Sequence, residues 1–269
     1  MTGIFDSGAG GLSVLREICR QIPSGEYVYF SDNAHCPYGE KSPAYIQEHS
    51  REITERLVRE GAQIIVVACN TATAAAIQYL RSRYSDPSDP QVRRRVLDLT
   101  EGRQDHLLFV GMEPAVKPAA LGTRSGVIGV LATAGTLKGS KYLTTKGNYS
   151  DGCTIAEHVG QGFVELVESG ELTGPHAEEV VRASLQPLLD AGADTIVLGC
   201  THYPFLLETM QAIAGPGIRF IDPAPAVARR LSDLMAREGI TQTGSLSVRL
   251  LSSGPSENLE QLYLRFVRP

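Results

Sequence analysis

The chain has 269 residues, 42% of them apolar, enough to bury one large core or two smaller ones, so two domains of ordinary size are expected. A formal net charge of −5 without a long basic run argues against nucleic acid or an anionic membrane as the main partner and leaves a small molecule. No apolar run approaches the ~18 residues of a membrane span, no basic residue precedes Arg16, and Asp6 interrupts the start, so the expected location is the cytoplasm.

In chain order, β-branched runs alternate with amphipathic ones. "GIFDSG" leads into "GLSVLREICRQI", "YVYFSD" into "SPAYIQEHSREITERLVREG", and "IIVVACN" into "TATAAAIQYLRSRY", which reads βαβαβα. Residues 84–108, with two prolines and many charges, read as an inserted connection holding one short helix at Gln91–Leu97. Alternation resumes with "SGVIGVLAT", a helix over "EHVGQGFVELVESG", the helix "PHAEEVVRASLQPLLDAG", then "TIVLGC", "FLLETMQAIAG" and "IRFIDP". The tail, "APAVARRLSDLMAREG" and "LSVRLLSSGPSENLEQLYLRFV", reads helix, strand, helix and is expected to pack back on the first half. Continuous apolar strands separated by helices imply parallel sheets covered on both faces, hence two pseudo-symmetric α/β domains. The expected division is residues 1–104 plus 225–269 against 105–224.

"GAQIIVVACNTAT" (61–73) and "GADTIVLGCTHYP" (192–204) share Gly, Ala, Ile, Val and Cys at one offset, since 192 − 61 = 131 and 200 − 69 = 131. Both Cys69 and Cys200 fall at the carboxyl end of a strand, where ligands bind in open parallel sheets. Each is followed by good capping residues, Asn70-Thr71 and Thr201-His202, and a thiol beside a helix N-terminus has its pKa lowered. A single such cysteine is more often a small core residue, but duplication in matched contexts favours chemistry. A third strand end carries Asp6, Ser7 and the glycines Gly8, Gly10 and Gly11, a turn suited to an anion, with Asp6 able to hold an ammonium group. It is neither a Walker A nor a full GxGxxG sequence. A fourth loop holds Asp32, Pro37, Tyr38 and Gly39.

The five cysteines form no CxxC, so neither a disulfide framework nor a zinc ribbon is indicated. Cys19 reads as packing and Cys153 carries no signal; Cys36 is expected to stand outside proton transfer. Two facing thiols suit inversion of a stereocentre: one base removes hydrogen from one face while an acid delivers hydrogen to the other, and no metal or organic cofactor is required. The carbanion would be stabilised by loop amides at the carboxylate.

The stretches "FDSGAGGLSVL", "SDNAHCPYGEKS", "ACNTATA", "EPAVKPA", "GELTGP" and "LGCTHYP" resemble glutamate racemase, of the cofactor-independent aspartate/glutamate racemase superfamily, and span most of the chain in family order. The resemblance implies that Cys69 deprotonates D-glutamate and Cys200 L-glutamate, with Asp6 and His202 assisting their neighbouring thiols. It implies substrate binding by Asp6, Ser7, Tyr38, Gly39, Asn70, Thr71, Thr201 and His202, and supporting roles for Asp32 and Glu168. It further implies an active site between the two domains, supply of D-glutamate for the peptidoglycan cell wall, and a homodimer. The connection over 85–108 is longer than is usual in the family, and "HVGQGFVELVESG" departs from the usual form in its first half. Rival readings are an aspartate racemase or maleate isomerase of the same superfamily, a two-domain amino-acid sensor without turnover, and a pyridoxal-phosphate racemase. The sensor is disfavoured by two intact cysteines, and the last by the lack of any signal at Lys41, Lys117, Lys138, Lys141 or Lys146.

Overall fold

The apolar runs form strands and the amphipathic stretches wrap them. The structure, a computed structural model, describes residues 1–268. The first half runs β1 (Thr2–Asp6), α1 (Leu12–Gln21), β2 (Glu26–Ser31), α2 (Pro43–Arg59), β3 (Ile64–Val67), α3 (Asn70–Tyr84), α4 (Pro90–Leu99) and β4 (Leu108–Val110). Then come α5 (Val116–Gly122), β5 (Val127–Ala132), α6 (Ala134–Leu137), α7 (Ser140–Tyr149), β6 (Thr154–Val159), α8 (Phe163–Ser169), α9 (Pro175–Asp190), β7 (Thr195–Gly199), α10 (Leu207–Ala214) and β8 (Arg219–Ile221). The chain closes with α11 (Ala224–Arg237), β9 (Ser247–Ser252) and α12 (Glu257–Phe266).

Two parallel sheets result, ordered β4-β3-β1-β2-β9 and β6-β5-β7-β8. Read from the β8 edge, the second is β8-β7-β5-β6, which repeats β4-β3-β1-β2 four strands later; β9 is the one addition. Register carries the repeat to single residues. Phe5 faces Val67 across β1 and β3, and Leu131 faces Leu198 across β5 and β7. Since 198 − 67 = 131 and 131 − 5 = 126, Ala132 stands where Asp6 stands in the first half, and Thr133 where Ser7 stands.

Helix α1 buries Leu12, Leu15, Ile18 and Cys19 along one stripe, the spacing expected for a core-facing helix. Cys19 is therefore packing, as its place in the periodicity suggests. The largest apolar cluster takes Ile4, Tyr29 and Val66 from the first sheet and Leu131, Ile196 and Leu198 from the second, bridged by Phe163 and Leu166 of α8, so the halves share packed material. Strand β9 adds to β2, so the tail does return to the first half. Among the described residues, no helix is long and apolar enough to cross a membrane.

Three expectations change. The stretch expected as one helix over 157–170 is strand to Val159 and helix only from Phe163. Its first part pairs with β5 at an exposed sheet edge, and Gly162, at φ 80°, supplies the left-handed turn on which α8 starts. Leu108–Val110, expected as the end of a connection, is β4 and pairs with β3, so a division at 104/105 falls ahead of a strand belonging to the first sheet. Helix α4 extends at both ends beyond Gln91–Leu97, its Asp89 side chain accepting from the Gln91 amide at 2.8 Å.

Candidate active site

Four strands end at one place. Asp6 closes β1, Cys69 lies just past β3, Thr133 just past β5, and Cys200 just past β7. Between them is a narrow cavity with about 10 Å³ of free space, lined by Ser7, Pro37, Tyr38, Gly39, Cys69, Asn70, Thr71, Thr133, Val164, Cys200 and Thr201. That is room for about one water molecule, so a larger ligand needs the walls to move outward. The two thiols, one from each sheet, thus share one cavity.

Cys69 is the N-cap of α3: its backbone is extended and its sulfur accepts from the Ala72 amide at 3.4 Å. Its Sγ also lies 3.7 Å from the Ser7 hydroxyl, to which the thiol donates. The helix N-terminus does not lower this thiol. Burial, reinforced by the neighbouring Asp6 charge, raises Cys69 well above the usual thiol range and outweighs the Ala72 amide. Asp6 is itself fully buried and its carboxyl is pushed up by burial, against the pull of His202. Its Oδ2 accepts from the Gly11 amide at 2.8 Å and the Thr201 hydroxyl at 3.4 Å, while Oδ1 has no partner among the described residues. A carboxyl free to take a proton therefore sits behind the Cys69 thiol.

The surroundings of Cys200 differ. No α-helix starts on it; a 3₁₀ turn at Tyr203–Leu206 precedes α10, so the expected helix cap is absent here. His202 takes that place, its Nδ1 3.7 Å from Cys200 Sγ and its Nε2 2.6 Å from Glu168 Oε1. Burial works against the imidazolium, yet contacts with Cys200, Cys36 and Glu168 outweigh it and hold His202 well above its ordinary value. Glu168 is opposed by burial but held below the usual carboxylate range by His202 and by the Ala9 amide, which donates to it at 2.6 Å.

The glycine loop does something other than cradle a ligand anion. Its Ala9 and Gly11 amides are spent on Glu168 and Asp6. A Cβ on Gly8 would stand 2.1 Å from Glu168 Oε1, and one on Gly10 would stand 2.3 Å from His202 Nδ1, so the two glycines let these side chains come in.

Of the residues singled out in the sequence, Ser7, Tyr38, Gly39, Cys69, Asn70, Thr71, Cys200 and Thr201 line the cavity, whereas Asp6 and His202 stand behind the thiols. Asp32 stays off the wall and accepts from the Tyr38 hydroxyl at 2.5 Å. Both polar atoms of the buried Asn70 amide lack partners among the described residues. Thr133 and Val164 escaped the sequence reading; the repeat could have found Thr133, the counterpart of Ser7. Cys36, for which the sequence left contact with the site open, lies with Glu168 and His202 in a group whose ligand atoms are all within 4.8 Å. These three could hold a metal ion.

A fold of two duplicated parallel sheets with a strand-end thiol from each defines the class. Residues 109–231 match the Asp/Glu/Hydantoin racemase family. Over the full chain, a glutamate racemase of Stutzerimonas stutzeri is 42% identical across 260 residues, covering 97% of this chain and 91% of the relative. One from Roseiflexus is 41% identical, covering 99% and 92%. The crystal structure of Escherichia coli glutamate racemase with L-glutamate and the activator UDP-MurNAc-ala superposes with a TM-score of 0.79 at 31% identity, covering 99% of this chain and 95% of that one. The chain belongs to the glutamate racemase family.

Proposed function

We propose that the chain interconverts L- and D-glutamate by moving protons between two cysteines and the α-carbon. From D-glutamate, the Cys69 thiolate takes the α-proton, the C–H electron pair staying on carbon. The Cys200 thiol then gives its own proton to the opposite face, leaving L-glutamate, a Cys69 thiol and a Cys200 thiolate. From L-glutamate the roles reverse. The observation that carries this reading is the single cavity walled by both thiols.

Burial makes a Cys69 thiolate costly, so an acceptor must stand beside it, and Asp6 with its unpartnered Oδ1 fits that need. His202 does the same for Cys200, oriented from behind by Glu168. The wall residues Ser7, Tyr38, Gly39, Asn70, Thr71 and Thr201 would hold the substrate, the Asn70 amide meeting a carboxylate whose charge grows as the carbanion forms. All of these steps use the chain's own groups. The product would feed peptidoglycan synthesis in the cytoplasm, and the working form would be a homodimer.

The test is glutamate in heavy water without added cofactor, with aspartate alongside. Early turnover should place deuterium in the product enantiomer and little in recovered substrate, since each face has its own base. Rapid deuterium entry into substrate would mean a single base, and turnover of aspartate in place of glutamate would move the substrate assignment.

A further inference from the structure

A second cluster of ligating side chains lies outside the reaction. Asp32 follows β2, His35 ends the short 3₁₀ turn Asn33–His35, and His49 comes from α2. We propose that Asp32, His35 and His49 bind one divalent transition-metal ion of the zinc class on the solvent side of the Tyr38 loop.

The distances suit such an ion. His35 Nδ1 is 2.8 Å from Asp32 Oδ1, His49 Nδ1 is 3.4 Å from Asp32 Oδ2, and the three ligand atoms all lie within 4.8 Å of one another. A tetrahedral ion with N and O ligands at about 2.0–2.2 Å holds those ligands roughly 3.3 Å apart. Only small side-chain shifts separate the two arrangements. The burial gradient also fits: the Asp32 side chain is 3% exposed, His49 20% and His35 36%, so the anionic ligand is anchored deep and the imidazoles leave an entry path and a position for water.

Orientation is already set. The His49 ring packs against both His35 and Tyr45, with centroids 4.2 Å from each, and those two rings also meet edge-on at 6.2 Å. The Tyr38 hydroxyl fixes Asp32 from behind at 2.5 Å, the kind of outer partner that aims a ligating carboxylate. One carboxylate with two neutral imidazoles selects zinc, cobalt, nickel or copper over calcium or magnesium, which prefer all-oxygen shells. On binding, each imidazole would ligate through an unprotonated Nδ1 and carry its ring proton on Nε2. The ion is not part of the racemisation chemistry, and its binding can be measured without turnover.

Cobalt(II) titrated into the full chain, with Cys36→Ser introduced to dismantle the thiol-containing cluster, should give one site with visible ligand-field absorption and no intense thiolate charge-transfer band. Zinc should displace it, and calcium and magnesium should not. His35→Gln and His49→Gln should each weaken binding at least about tenfold with unchanged circular dichroism and melting. Undiminished cobalt binding in both histidine variants, a thiolate band in the spectrum, or no cobalt uptake at millimolar ion would overturn the proposal and leave the cluster a hydrogen-bonded mount for Tyr38.

Discussion

The two halves build the same scaffold and equip it differently. At matched register positions, the first half has Asp6, Cys69, Asn70 and Thr71, where the second has Ala132, Cys200, Thr201 and His202. Beside Cys69, from the neighbouring strand β1, stands a carboxyl whose proton affinity burial has raised. Beside Cys200, two residues further along its own chain, stands an imidazole backed by Glu168 from α8. Where Cys200 has His202, Cys69 has Thr71, which turns away to pair with Thr133 at 2.8 Å. Duplication thus accounts for where the sulfurs stand, while the groups packed beside each differ between the halves. A racemase needs two positions related by near-mirror geometry about one carbon, but nothing requires their proton acceptors to be alike.

The sharpest way to break this comparison is to remove one sulfur at a time. Cys69→Ser and Cys200→Ser should each lower racemisation on the order of 10³-fold, the range of a lost acid–base group. Cys19→Ser, in the α1 core, and Cys153→Ser, whose thiol only reaches the Tyr149 carbonyl, should leave turnover near wild type. Similar losses in all four, measured by circular dichroism at one wavelength with purified enantiomers, would mean that the cysteines serve folding.

The next test separates the helpers. Asp6→Asn and His202→Asn should each cost about 10²-fold or more in turnover. Because enantiomers have equal free energies, kcat/KM must fall equally in both directions, so rates alone cannot tell the halves apart. Isotope effects can. In Asp6→Asn the step at Cys69 becomes the slow one, and α-deuterated D-glutamate should show the large primary effect while α-deuterated L-glutamate shows little. In His202→Asn the order should reverse. Matching isotope effects in the two variants would mean that the helpers do not serve separate thiols.

How much of this was legible in the sequence follows from what each signal rests on. The strands, most helices and both thiols could be read because burial on both faces writes continuous apolar runs and because the repeat "GA…I…V…C" occurs twice. Strand β6 could not, since an exposed edge strand loses its apolar signature, and β4 is too short to show a period. The direction of the Cys69 shift was also out of reach. A helix N-terminus is visible in "CNTAT", but the burial that outweighs it, and the Asp6 carboxyl that adds to it from across the sheet, arise only once the chain is folded. The surroundings of Cys36 were out of reach for the same reason: its neighbours Glu168 and His202 are brought by the other half.

Glu168 offers a smaller effect that reports on the surroundings of His202. Its folded value lies below the ordinary 4.5, so it contributes stability that is present above that value and lost as pH falls through the folded one. His202 is raised above 6.5, so its share is complete below 6.5 and lost as pH rises through its folded value. The pair is worth most between those limits. Wild type should therefore melt above Glu168→Gln near pH 6, and the gap should close as pH drops below the ordinary 4.5 and through the lower folded value. A gap independent of pH, followed by calorimetry, would detach Glu168 from the His202 charge.

The smallest expected effect tests the seam itself. Thr133 accepts from the Thr136 amide at 3.3 Å, and its hydroxyl meets Thr71 Oγ1 at 2.8 Å, joining the cavity's two walls. Thr133→Val keeps the shape and deletes the hydroxyl. A neutral hydrogen bond of about 1 kcal/mol corresponds to roughly a fivefold change, so if the contact holds the closed form that grips substrate, KM should rise by about that factor while kcat barely moves. The same substitution in the Asp6→Asn and His202→Asn backgrounds should add equally to both, because a seam shared by the halves favours neither sulfur. Unequal effects would mean that Thr133 belongs to one half's machinery, as its counterpart Ser7 does through its contact with Cys69.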